Sequence, residues 1–170
     1  MGIQDHARWF KLSDGTNEVR ANIFDCLGFN QNYEVIGGAS VIRMMQGSAL
    51  KQTNWQKLKT TLSGSGGLPF GFGILDYSKQ ITISCAVPRS LVKATNTFTT
   101  PTNARSDTGY EPYVLKMVEG YWLPLTSSGA ASAYKQVYFP ELVCFMDPPM
   151  ESMDPDSNPP IAWSLTGEQI

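Results

Sequence analysis

The chain has 170 residues, of which 16% are charged and 42% are hydrophobic, and its formal net charge is −2. This length supports one well-buried core, so we expect a single domain over residues 1–170. The weak negative charge provides no basic field to gather phosphates, which argues against free nucleic acid as a partner. No stretch approaches the ~20 apolar residues that cross a bilayer, so membrane insertion is not expected either.

The composition also favours strands over helices. The 15 glycines and 11 prolines are typical of short strands joined by turns, whereas surface helices usually carry many Glu and Lys side chains. We therefore predict an all-β sandwich or split-barrel domain, with at most one short helix, long loops and a Pro-rich C-terminal arm.

The first predicted elements are a hairpin and two short strands. Residues 9–12 and 19–24 flank a turn that contains Asp14-Gly15, a pair that accepts positive φ. Residues 33–36 then predict a short strand that ends at Gly37-Gly38, and residues 41–45 predict another.

Residues 51–62 leave two alternatives open. The spacing of Trp55, Leu58 and Leu62 fits one face of a short helix, whereas Thr60-Thr61 favour a strand. The Ser/Gly segment 63–67 is expected to end this element as a flexible hinge, since glycine disfavours both helix interiors and packed strands.

The middle of the chain combines an aromatic loop with a clear strand. Phe70 and Phe72 lie in a Pro/Gly loop, which either forms an exposed adhesive tip or folds inward as a cap on the core. Residues 80–87 alternate between apolar and polar side chains, which makes them the most secure predicted strand. The polar segment 96–109 is longer than a compact domain needs, so we expect a functional or interfacial loop.

The second half predicts a β-meander and then a stiff arm. Four strands are predicted at residues 113–118, 121–125, 133–139 and 142–146. The prolines of residues 147–160 exclude a regular element there, and residues 161–166 predict a final strand with Trp163 on its apolar side. That strand either ties down the chain end or pairs with a neighbouring subunit.

The sequence contains no recognisable catalytic or cofactor motif. His6 is the single histidine, so a Ser or Cys nucleophile has no other histidine that could act as its general base. Cys26, Cys85 and Cys144 form no CxxC pair, which predicts reduced, buried thiols and neither a zinc site nor a disulfide framework. We therefore expect a protein that is not an enzyme and has no cofactor or bound metal.

One stretch carries a family resemblance. It contains an R-M-x-x-G turn from Arg43 to Gly47, a basic segment with Lys51, Trp55 and Lys57, the Ser63-Gly64 pair, and a P-x-G-x-x-x-L-D loop from Pro69 to Asp76. In this combination, residues 41–89 resemble small tail-associated structural proteins of long-tailed bacteriophages, of the distal-tail, baseplate or tube-related group. The resemblance implies a non-enzymatic virion subunit, made in the host cytoplasm, that forms a homo-oligomeric ring and contacts other tail proteins.

The resemblance and the loop composition together define a set of candidate interface residues. They are Arg43, Lys51, Trp55, Lys57, Phe70, Phe72, Phe98, Arg105, Pro148, Pro155 and Trp163. The alternative hypothesis is a carbohydrate- or receptor-binding β-sandwich on the virion, which would stack a glycan on Phe70, Phe72, Tyr121 and Trp122.

Overall fold

The structure is a computed structural model that describes residues 9–23, 26–66, 71–156 and 160–170. The chain is nearly all β, with 59% of residues in strands and no α-helix in the described ranges, which confirms the all-β prediction. The strands are β1 (Trp9–Ser13), β2 (Glu18–Asn22), β3 (Leu27–Arg43), β4 (Ala49–Gly66), β5 (Ile81–Ser84), β6 (Arg89–Lys93), β7 (Tyr113–Val118), β8 (Tyr121–Pro124), β9 (Ala133–Tyr138), β10 (Glu141–Met146), β11 (Met150–Met153) and β12 (Ile161–Gln169).

These strands form two antiparallel sheets in a sandwich-like domain. The first sheet has the order β2-β1-β5-β10-β12-β4-β3, and β11 also pairs with β12. The second sheet has the order β6-β9-β7-β8. The first sheet therefore ends in β2 on one side and in the much longer β3 on the other.

The core lies against the first sheet. Alternate side chains of its strands point inward, and Phe10, Leu12, Ile81, Ile83 and Leu142 are fully buried. Three aromatic rings close this core, since the ring centroid of Trp163 lies 5.7 Å from that of Phe10 and 5.3 Å from that of Phe72. Phe72 of the aromatic loop therefore folds inward onto the core, where it begins the short 3-10 helix Phe72–Ile74.

The N-terminal hairpin is confirmed and the two predicted strands after it are corrected. β1 and β2 pair across a turn in which Gly15 has φ 86°. The predicted break at Gly37-Gly38 is wrong, because β3 continues through both glycines for 17 residues. The glycines serve close packing instead: a Cβ on Gly38 would lie 2.7 Å from the indole Nε1 of Trp55.

The strand alternative is correct for residues 51–62, because β4 runs unbroken for 18 residues. The helix-like spacing of Leu58 and Leu62 arises because four residues correspond to two full repeats of a strand as well as to about one helical turn. The predicted hinge is also wrong, since residues 63–66 pair with β12. Gly64 is needed there because a Cβ would lie 2.8 Å from a ring carbon of Trp163.

The later strands are confirmed, but their order is not a simple meander. β7 pairs with both β8 and β9, β9 also pairs with β6, and β10 joins the first sheet. Part of the Pro-rich arm is regular, since β11 pairs with β12. β12 itself lies between β4 on one edge and β10 and β11 on the other, so it ties the chain end into its own sheet.

Candidate interaction surface

A long hairpin projects from the first sheet. β4 pairs with β12 only between Lys59 and Gly66, so the preceding part of β4 pairs with β3 alone. We define the arm as residues 35–57, which comprise the outer halves of β3 and β4 and the turn between them. Nine residues of each strand extend it by about 30 Å at the usual rise of a strand.

The arm is a regular two-stranded ladder with one irregularity. It runs from the pair Val35↔Leu58 to the pair Arg43↔Ala49 and is closed by a turn in which the Gly47 amide donates to the Met44 carbonyl oxygen at 2.8 Å. Gly47 has φ 82°, a conformation that favours glycine. The register shifts between Gly38 and Ala39, which leaves one extra residue on β4 and bends the ladder locally.

The arm exposes an unusual amount of apolar surface. Its large exposed hydrophobic side chains are Val35, Val41, Ile42, Met44, Met45, Leu50 and Trp55, and Met45 at the tip is fully exposed. Scattered exposed apolar residues are ordinary, but Ile42 and Leu50 lie directly opposite each other in the ladder, and adjoining apolar side chains of this kind mark a surface that another molecule covers. Among the described strands, β3 is the last of the sheet and its outer edge pairs with no other strand, an arrangement that folded proteins normally protect.

The arm is purely basic. Arg43, Lys51 and Lys57 are its charged residues, and no Asp or Glu occurs between positions 35 and 57 of a chain whose net charge is −2. Arg43 and Lys51 are exposed near the tip. At the base, the Lys57 ammonium group donates to the Ile170 backbone oxygen at 2.6 Å. The outer arm therefore combines apolar side chains with two exposed cations.

Along the strand direction, the end of the first sheet opposite to the arm carries the opposite charge. We define the acidic segment as residues 147–156, which contain Asp147, Glu151, Asp154 and Asp156 and no Lys or Arg. All four acidic residues are exposed. Met150 and Met153 on β11 are also more than 70% exposed. The acidic segment thus offers apolar and anionic groups side by side, as the arm offers apolar and cationic ones.

A hollow of about 730 Å³ lies beside the acidic segment. It forms where the chain crosses from β10 to β11, because β10 pairs with β12 at Gly167–Gln169 and β11 pairs with it at Ile161–Ser164, and the edge between them is left uncovered. The hollow is lined in part by the side chains of Tyr77, Phe145, Asp147 and Met150. Burial, and secondarily the Glu151 carboxylate, raises the pKa of Tyr77 to about 12, so this phenol stays neutral.

The structure separates the predicted interface residues into three groups. Arg43, Lys51, Trp55 and Lys57 all lie on the arm. Pro148 and Pro155 are exposed in the acidic segment, and Phe98 is half-buried with the Lys93 ammonium group 5.4 Å from its ring centroid. Phe72 and Trp163 are buried in the hydrophobic core, and Arg105 is buried beside Trp9 and Tyr110, so none of the three is available for a surface contact. Phe70 lies outside the described residues.

Arg105 explains how the polar segment 96–109 is held. The guanidinium carbon lies 3.6 Å from the ring centroid of Tyr110 and 4.2 Å from that of Trp9. Its Nε donates to the Asp107 carboxylate at 2.9 Å, and its Nη1 donates to the Cys85 carbonyl oxygen at 2.7 Å. A buried cation thus fastens this segment to its own subunit, which the sequence signalled only by an Arg-x-Asp pair near a tyrosine.

The four aromatic residues of the glycan hypothesis do not form one platform in the described structure. Phe72 is buried against the first sheet, whereas Tyr121 and Trp122 lie on β8 of the second sheet. The Lys135 ammonium group lies 4.1 Å from the Trp122 ring centroid and covers that ring. Tyr121 is exposed by itself, and Phe70 is outside the described residues.

The described residues offer few groups for metal binding or catalysis. They contain no group of three or more His, Cys, Asp or Glu side chains that could hold a metal ion. Cys26, Cys85 and Cys144 are buried, as predicted. Burial raises the pKa of Cys85 to about 11 and that of Cys144 to about 12, so both remain unreactive thiols near neutral pH. In the part of the chain that the structure describes, no helix has the length and apolar character of a membrane span.

Comparisons with protein-family models, curated proteins and solved structures returned no match for this chain.

Proposed function

We propose that this protein is a non-enzymatic structural subunit of a bacteriophage virion, which forms a ring in the tail-tip or baseplate region. The observation that carries the proposal is the projecting arm, an apolar and basic two-stranded ladder that pairs with no third strand among the described residues. A two-stranded ladder is marginal in water, so such an arm is most stable when a neighbour covers it. Copies of the same chain are the simplest neighbours, and their contacts close by symmetry.

The phage assignment rests on the resemblance of residues 41–89 to tail-associated proteins. The R-M-x-x-G motif that contributes to the resemblance occupies the tip of the arm, and the basic segment with Lys51, Trp55 and Lys57 forms its second strand. The resemblance and the exposed surface therefore fall on the same element. The buried thiols and the sparse polar chemistry support a structural role over a catalytic one.

The experiment compares the wild-type protein with a variant whose arm is shortened. Residues 39–54 are replaced by Asn-Gly, which joins the paired residues Gly38 and Trp55 below the register shift and supplies a suitable two-residue hairpin loop. Native mass spectrometry and negative-stain imaging should show ring-like multimers of the wild type and monomers of the variant. Circular dichroism should show that the variant is still folded into β-structure. Its melting temperature should match that of the wild-type protein at concentrations too low for assembly, because the arm buries little of the core, and only the wild type should become more stable at higher concentration.

A matched control replaces apolar residues elsewhere. Leu91 and Val92 are exposed on β6 of the second sheet, and the double variant Leu91→Ser/Val92→Ser should still form multimers. A wild-type protein that stays monomeric at high concentration, or a shortened variant that still forms multimers, would contradict the ring proposal. Mass spectrometry of purified virions tests the location, since a tail ring requires a small, fixed copy number per particle.

A further inference from the structure

We infer that the arm of one copy docks onto the acidic segment and the adjoining hollow of a second copy. The inference rests on the proposed function and names the surface that receives the arm. Two complementary surfaces carry it, at opposite ends of the first sheet along the strand direction: the arm is apolar and cationic, and the acidic segment is apolar and anionic.

Of the exposed surfaces, the acidic segment has the charge that best complements the arm. The arm contributes Arg43, Lys51 and Lys57 without an acidic residue, and the acidic segment contributes four carboxylates without a basic residue. The second sheet also exposes apolar side chains, but its strands β6 and β9 carry Arg89, Lys93 and Lys135. Those cations would repel the arm, whereas complementary charges favour encounter and fix the register of a contact.

Apolar contacts supply the second part of the match. The tip of the arm presents Met44 and Met45, whose flexible thioether side chains adapt to irregular gaps. The hollow offers Phe145 and Met150, both more than half exposed, close to Asp147 on its rim. Lys59 also lines the hollow, but its ammonium group is paired with the Glu168 carboxylate at 3.2 Å, so the unpaired charge beside the hollow is that of the acidic segment. A methionine tip in this hollow would bring Arg43 close to the acidic segment.

One subunit cannot make this contact with itself. β11 lies level with residues 63–66 of β4, because both pair with the same residues of β12, whereas the arm leaves the sheet at the opposite end of β4. Tip and acidic segment are separated by about 50 Å along the strands. The contact therefore joins two copies through different surfaces, and heterologous contacts of this kind generate rings when the rotation closes.

Cysteine cross-linking tests the contact directly. A Met45→Cys variant is mixed with a Met150→Cys variant under mild oxidation, and the native cysteines stay silent because they are buried. We expect a disulfide-linked dimer that contains one copy of each variant. The matched control mixes Met45→Cys with Tyr121→Cys, which places an equally exposed thiol on the second sheet and should give at least ~10-fold less product.

Charge reversal then separates this contact from a general hydrophobic association. Adding Arg43→Glu and Lys51→Glu to the Met45→Cys variant should lower the cross-link yield about tenfold, since attraction becomes repulsion. Adding Asp147→Lys and Glu151→Lys to the Met150→Cys variant should restore it. Raising the salt concentration from 50 to 500 mM should weaken the wild-type reaction.

The outcomes distinguish the inference from the proposed function. Two results together would overturn this contact and leave the ring proposal intact. The first is that rings persist after charge reversal. The second is that Met45→Cys with Met150→Cys, without charge reversal, gives no more cross-link than Met45→Cys with the Tyr121→Cys control. A heterodimeric cross-link from a protein that shows no rings would support the contact and count against the ring. Binding of the arm to phosphatidylserine vesicles, without any cross-link between copies, would overturn the inference in favour of a lipid partner.

Discussion

Asp14 shows how one side chain connects two parts of the fold. Its carboxylate accepts hydrogen bonds from the backbone amides of Thr16 at 2.7 Å and Asn17 at 2.6 Å, which shapes the turn between β1 and β2. The other oxygen accepts from the Asp76 amide at 2.9 Å and so connects this turn with the chain that precedes β5. These backbone donors, led by that of Asn17, hold the pKa of Asp14 well below its usual 3.8.

The lowered pKa predicts a specific pH dependence of stability. Because the folded carboxyl binds its proton less readily than the unfolded one, its stabilising contribution is complete above the ordinary aspartate pKa of 3.8 and is lost as the pH falls towards the folded value. We expect Asp14→Asn to lower the urea midpoint at pH 7, since an amide nitrogen cannot accept the Asp76 hydrogen bond. The midpoint of the variant should also fall less steeply below pH 4.

Urea denaturation at several pH values between 2 and 7 measures this effect. Glu18→Gln is the matched control, because Glu18 is exposed and contacts Lys11 and Arg20 at the surface, where ion pairs contribute little. Parallel pH curves for the wild type and Asp14→Asn would contradict the role assigned to this carboxylate.

The arm illustrates which elements the sequence can predict. The strand predicted at residues 161–166 was found because its apolar side is buried and the alternation is visible. The strand predicted at residues 80–87 was also found, but β5 covers only Ile81–Ser84. Residues 35–57 have no buried face, so they lack alternation, and their glycines resemble a turn. The pairing of β11 with β12 was missed for another reason, since it joins segments whose contact depends on the whole sheet.

The same geometry predicts a gradient of local stability along the β3–β4 hairpin. Near the body, β4 is hydrogen-bonded to β3 on one side and to β12 on the other, and Leu58 and Leu62 are buried. In the arm each strand has one partner and both faces meet solvent. Native-state hydrogen exchange should therefore show fast exchange at residues 39–53 and slow exchange at residues 60–65, because local opening needs little energy where few contacts are buried.

Concentration provides the control for this measurement. Amide protection of residues 39–53 should rise when the protein assembles, whereas residues 60–65 should change little. Slow exchange of the whole arm in a verified monomer would contradict the gradient and would indicate that the ladder is stable without a neighbour.

At the scale of the whole molecule, a cluster around Arg105 joins the first sheet to the segment that leads into the second. Tyr110 donates its hydroxyl proton to the Trp9 carbonyl oxygen at 2.7 Å and packs edge-on against Phe139 with 5.0 Å between ring centroids. Phe139 directly follows β9 of the second sheet, and Trp9 begins β1 of the first. The cluster therefore links residues from both sheets around one buried guanidinium group.

This linkage predicts that the two sheets unfold together. The wild-type protein should show one calorimetric transition with equal calorimetric and van't Hoff enthalpies, as a single domain does. Arg105→Ala should lower stability by about 3–5 kcal/mol, because it leaves the partners of a buried cation unpaired, and should split or broaden the transition.

Arg20→Ala is the matched control. Arg20 also lies over the Trp9 ring, at 4.3 Å, but its side chain is 57% exposed, so the cost should stay below about 1 kcal/mol. Two separate transitions in the wild type would show that the chain contains two cooperative units and that the Arg105 cluster does not couple them.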